Sequence, residues 1–214
     1  MIMTNPTPKF EAADDFRKQA EGGYSYNPAA DRGGETIFGI SRVANPEWEG
    51  WATVDQYTGG KPIPTNGGRA VDQTWQLVLD KMNSETTLQQ EAEQYFFDNY
   101  WTPIEGDALP DEVDMIIYDM SVNSGPGRAI KLLQQAVKTS INGHLCAGDI
   151  AAAGQMYIHD SENFLDDLFT LRLGFYKSLV AVSPTDAADL PGWINRLKAL
   201  ANFIQMDPLP PCLL

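Results

Sequence analysis

The sequence predicts a mainly α-helical fold with at most a small β-hairpin. Three observations predict it. Apolar residues recur at helical spacing through most of the chain after Val71, long alternating patterns are scarce, and the glycines gather at a few breaks between helical stretches.

The elements follow in order. Phe10, Ala13, Phe16 and Ala20 give the first apolar stripe, with Glu11, Asp14, Asp15 and Lys18 on the other face. Gly22-Gly23 supplies the helix stop. The glycines between residues 24 and 40 fit a small hairpin, and residues 58–68 read as a long loop. Beyond it, Trp75, Val78, Leu79 and Met82 form one stripe, and Leu88, Ala92, Tyr95 and Phe96 another. Val113, Ile116, Ile117 and Met120 repeat the pattern. So do Ala129, Leu132, Leu133, Ala136 and Val137 after the Gly125-Pro126-Gly127 break. Phe164, Leu168, Leu171, Phe175 and Leu179 predict a longer helix, and Trp193, Ile194, Leu197, Leu200, Ala201 and Ile204 the last one.

One stretch carries chemistry. Glu21 stands at the predicted helix end, followed by a glycine-rich, aromatic loop that holds Asp31 and Thr36. The negative end of a helix dipole disfavours a carboxylate, and apolar neighbours such as Phe16 or Tyr24 push the same way. A Glu kept protonated near neutral pH serves as a general acid. Asp31, among glycines, stays ionised and can position or deprotonate a water, which Thr36 helps to hold. Splitting a glycosidic bond needs such a pair of acid and base.

The full string E-G-G-Y-x6-D-x-G-G-x-T-x-x-G-I, from Glu21 to Ile40, resembles glycoside hydrolase family 108, the muramidase-type endolysins. It is also similar to the T4-type phage lysozyme pattern, whose catalytic Glu, Asp and Thr correspond to Glu21, Asp31 and Thr36. The Glu-to-Thr spacing agrees, whereas Asp31 falls one residue later than in that pattern. Tyr100-Trp101 with Pro103, the segment Tyr118 to Gly125, and Gly192 to Arg196 resemble later blocks of the family, so the likeness runs from about Phe10 to about Ile204. It implies a lysozyme-like helical domain and no cofactor. It places Asn123 beside the cleft, and Tyr24, Trp101 and Tyr118 join it as candidate substrate contacts. Trp48 and Trp51 are further aromatic candidates for stacking on a sugar ring. It also implies a catalytic lobe over residues 8–109, a helical lobe over 110–205 resembling a peptidoglycan-binding region, and a tail over 206–214.

Composition excludes other classes. A net charge of -14 argues against nucleic acid as partner. His144 and His159 have no C-x-x-C or H-E-x-x-H company, so no metal site is expected. The N-terminus has no basic and apolar leader pattern, and no run approaches the roughly 18 apolar residues of a membrane span. Cys146 and Cys212 are expected as free thiols, and Arg172 and Arg196 as ion-pair partners.

The resulting expectation is a muramidase acting on bacterial peptidoglycan, monomeric, and of the phage endolysin type. It would accumulate in the host cytoplasm until a holin releases it to the periplasm and cell wall. Two alternatives stay open: a lytic transglycosylase using Glu21 alone, and a non-catalytic wall-binding module.

Overall fold

The computed structural model describes residues 5–27 and 34–214. The fold is mainly α, as expected. The helices are α1 (Pro8–Ala20), α2 (Gly50–Thr58), α3 (Gln76–Asn83), α4 (Thr86–Phe96), α5 (Val113–Ser124), α6 (Pro126–Ala136), α7 (Ala147–Val182) and α8 (Leu190–Phe203). Strands β1 (Thr36–Ile37) and β2 (Ile40–Ser41) form one antiparallel hairpin, and β3 (Thr65–Asn66) and β4 (Arg69–Ala70) a second. Among the described residues no helix is long and apolar enough to cross a membrane.

The chain divides into two compact units. One holds Arg17–Phe97 with the first residues of the chain; the other holds Thr7–Phe16 and Asp98–Leu214. The break after Phe97 precedes the boundary expected at 109/110. Most of α1 belongs to the second unit because Phe10 packs edge-on against Trp101 and Tyr118, at centroid distances of 5.8 and 5.7 Å. Asp14 on the same helix accepts a hydrogen bond from Tyr118 Oη at 2.6 Å.

In the first unit, α4 buries Leu88, Ala92 and Phe96, four residues apart, together with Leu79 and Met82 of α3 and Trp51 and Val54 of α2. Ile37 and Ile40 point from the first hairpin into this core. The turn between them places Phe38 at φ 52° and Gly39 at φ 86°, the doubly positive geometry that matches the twist of a two-residue hairpin. The second hairpin corrects the reading of residues 58–68 as plain loop. Its turn, Gly67-Gly68, also has both φ angles positive, at 56° and 75°. The Asn66-Gly67-Gly68 sequence was the available signal. Trp75, expected in a buried stripe, stands at the start of α3 and is exposed.

A buried polar network braces the first unit. Tyr24 Oη donates to Glu35 Oε1 at 2.7 Å and accepts from the Ile63 amide at 2.9 Å. Arg42 pairs with Glu35 and, through Nη2, with Asp55 at 2.8 Å. Burial, and then the bond to Glu35, push the Tyr24 phenol far above its ordinary range, so it remains a neutral donor.

In the second unit α5 packs on α6, α6 on α7 and α7 on α8. α7 bends at Asp160, whose carboxylate caps the following turn by accepting from the Asn163 amide at 3.3 Å. The buried stripe beyond the bend is Phe164, Leu165, Leu168, Phe169, Arg172, Leu173 and Tyr176. The expected Leu171 and Phe175 are displaced from it because Arg172 is drawn inward by Asp119. Arg172 is 0% exposed, and Asp119 also accepts from Arg196 Nε at 3.0 Å. Leu213 of the tail is buried, and Cys146 and Cys212 are free.

Burial alone would raise the Asp119 carboxyl, but the Arg172 and Arg196 guanidiniums outweigh it and hold it below the ordinary value. A depressed carboxyl stabilises the fold above the unfolded-state value, and that contribution is lost as pH falls through the folded value. Arg172→Met, which leaves Asp119 short of a partner, is expected to cost about 3–5 kcal/mol in urea unfolding at neutral pH. Asp119→Asn is expected to flatten the acid limb of the stability curve below about pH 4, measured by the same titration.

Candidate active site

The site is built where α1 ends. The Glu21 amide donates to the Arg17 carbonyl at 2.7 Å, the last bond of the helical ladder, and Gly22 and Gly23 then turn the chain away. Ser25 pairs with Thr36 through two amide–carbonyl bonds of 2.8 Å, so the first hairpin runs beside the segment that leaves the helix.

Arg17 fixes the hairpin's turn. Its Nη1 donates to the Phe38 carbonyl at 2.7 Å, and its guanidinium lies 3.9 Å from the Phe96 ring centre. At 3% exposure it is a buried cation whose face is stacked and whose edge is bonded. The strained Phe38 is thereby held in place.

The turn in turn meets Glu21. A Cβ on Gly39 would stand 3.0 Å from Glu21 Cγ and 3.3 Å from Cδ. Only a glycine allows the carboxyl group to lie this close to the hairpin, and only a glycine tolerates this φ without strain.

Glu21 lines a cleft of about 400 Å³ with Gly22, Gly23, Phe38, Asn83 and Gln89. Among the described residues its charged lining is Arg17, Lys18, Glu21 and Glu93, two of each sign, and Lys18 pairs with Glu93 at 2.6 Å. Among the described residues its lining is therefore balanced in formal charge, in a strongly acidic chain. A charge-balanced lining with the half-buried Glu21 carboxyl at the helix end suits an uncharged, hydroxyl-rich ligand and proton transfer to it.

The other expected residues divide. Thr36 lies on β1, in the hairpin that bears on Glu21, half-buried and outside the cleft lining, with its hydroxyl 3.5 Å from the Gly34 carbonyl. Asp31 lies outside the described residues. Tyr24, Trp101 and Tyr118, expected as substrate contacts, are each only 1% exposed. Tyr24 braces Glu35, while Trp101 and Tyr118 pack their ring edges together at 5.6 Å in the second unit's core. Trp51 is also buried, its Nε1 donating to the Asn45 carbonyl at 2.7 Å, and Trp48 packs edge-on against it. Asn123, at the exposed end of α5, accepts from Tyr176 Oη at 2.8 Å. Tyr176 accepts from Arg172 Nε at 2.9 Å, so this amide is anchored through the buried ion pair.

Arg17 and Asn83 did not stand out in the sequence. Arg17 had a signal: a cation four residues before Glu21, beside the apolar stripe of α1. Asn83 had none, because its contact with Gly23 is made across 60 residues of chain.

The glycosyl hydrolase 108 family matches residues 16–125, just over half of the chain, a span that includes Glu21, both hairpins and α2–α5. The chain belongs to this family. It is therefore a glycoside hydrolase by descent, with the mainly α architecture that resemblance implied. A solved structure, "Structure of Brucella abortus SagA", is similar over 94% of this chain and 98% of that one, at 28% identity and a TM-score of 0.59. No curated protein matches the chain.

Gly39→Ala is expected to cost about 1–2 kcal/mol from its left-handed backbone, read as a lower midpoint in denaturant. It should also lower glycosidase activity at least tenfold by pushing the Glu21 carboxyl aside, because catalysis is sensitive to displacements of about 1 Å. Tyr24→Phe leaves the Ile63 amide and Glu35 Oε1 without this partner and is expected to cost about 1–3 kcal/mol in the same assay.

Proposed function

We propose that the chain is a peptidoglycan muramidase, hydrolysing the β-1,4 bond between N-acetylmuramic acid and N-acetylglucosamine. The observation that carries this reading is the placement of Glu21: a carboxyl at a helix end, in a cleft whose described lining is balanced in charge, held against the hairpin turn by Gly39 and the Arg17–Phe38 bond. Glu21 protonates the leaving glycosidic oxygen. The bond then breaks with positive charge spreading over the ring oxygen and anomeric carbon. Asp31 assists the attacking water and Thr36 helps to place it, roles that rest on the spacing of the motif. Asn123 contributes a polar contact to the glycan. Family membership supports peptidoglycan as the substrate class.

The biological setting that fits is lysis. As a monomeric endolysin the enzyme would wait in the host cytoplasm and reach the wall after holin action.

Glu21→Gln tests the assignment. The variant keeps the shape of the side chain and removes its proton chemistry. Release of soluble fragments from purified sacculi is expected to fall by about a hundred- to ten-thousand-fold, with an unchanged circular dichroism spectrum. Full activity in the variant would overturn it.

A further inference from the structure

We infer that the side-chain amide of Asn83 is a substrate contact, donating through Nδ2 to the carbonyl oxygen of a sugar N-acetyl group; this rests on the muramidase reading above. Asn83 is the last residue of α3 and lines the same cleft as Glu21. Its Oδ1 accepts from the Tyr24 amide at 2.8 Å. A backbone amide can only donate, so the oxygen side of the Asn83 amide faces that segment and the nitrogen side faces away from it. The backbone carbonyl of Asn83 is also occupied, by Gln89 Nε2 at 2.7 Å. Among the described residues, Nδ2 is left with no protein partner.

The amide is also fixed in place. A Cβ on Gly23 would stand 2.7 Å from Cγ, Oδ1 and Nδ2 of Asn83, so the amide lies flat against the glycine that follows the Glu21-Gly22 step. One chain segment thus connects the carboxyl to a rigid pair of neutral donors in the same cleft. Donors without acceptors select a ligand acceptor. Of the charged groups in the lining, Lys18 is paired with Glu93, and Arg17 donates to the Phe38 carbonyl. Of the acceptors on the glycan, the amide carbonyl is the strongest neutral one, and both alternating sugars carry it.

The test is a binding measurement in the Glu21→Gln background, which prevents turnover. Asn83→Asp keeps an oxygen for the Tyr24 amide and removes the donors; about 0.5 M salt screens the added charge. The probes are glycan strands freed of peptide, and the same strands de-N-acetylated. Asn83→Asp is expected to weaken binding to the acetylated strands about tenfold and to leave the de-N-acetylated strands at the parental level, with an unchanged melting temperature. Asn83→Ser, which also retains an oxygen, should give the same pattern if Asn83→Asp folds poorly. Parental binding to acetylated strands, or equal weakening on both strands, would overturn the contact. The muramidase reading fails separately: it falls if the chain with Glu21 intact releases no fragments from sacculi, whatever Asn83→Asp does to binding.

Discussion

The bond from the Arg17 guanidinium to the Phe38 carbonyl is the constraint on which the site depends. Arg17 lies in the last turn of α1 and Glu21 four residues on, just past its end. Fastening the hairpin turn to Arg17 therefore brings the next residue of the turn, Gly39, against Glu21. The guanidinium is buried. Phe96 covers its face at 3.9 Å and the carbonyl takes its edge. Phe38 in turn occupies a backbone region unfavourable for a bulky residue. This strain sits in the turn that shapes the site, where a rigid frame can hold it.

Around that frame, polar groups do the positioning that apolar packing cannot. Tyr24 is the clearest case. It begins the segment that leaves Glu21, and its hydroxyl is bonded on both sides, to Glu35 and to the Ile63 amide. Removing either partner would strand a buried group, so the network acts as a unit. The second unit uses the same device with full charges. Asp119 is shared between Arg172 and Arg196, and Arg172 passes its orientation to Tyr176 and so to the exposed amide of Asn123. Tyr176 is itself fixed by stacking on Trp193 at 5.1 Å. The same residues that stabilise the unit also orient a polar group at its surface.

Much of this was legible in the chain. Helical periodicity located α3 to α6 and α8, because most of their apolar stripe residues are buried. It misplaced part of the buried face of α7, because a charged residue, Arg172, is buried there beside Asp119, 53 positions earlier. The Glu21 position was readable from Gly22-Gly23, a purely local helix stop. The aromatic residues were not. Tyr24, Trp101 and Tyr118 are polar enough at one end to suggest ligand contact, yet each uses that end inside the protein, on Glu35, Asp107 and Asp14 respectively. Nothing local distinguishes a tyrosine that bonds a buried carboxylate from one that faces a sugar. Asn83 was invisible for the complementary reason: its role is set by a contact with Gly23 that only folding creates.

The most direct test of the central claim is to digest purified sacculi in water enriched in heavy oxygen and to identify the new glycan ends by mass spectrometry. An enzyme in which Glu21 delivers a proton and water completes the reaction leaves reducing N-acetylmuramic acid ends that carry one heavy oxygen atom. Unlabelled 1,6-anhydro ends would contradict it, since the sugar's own hydroxyl would then have taken the place of water and Asp31 would have no water to assist.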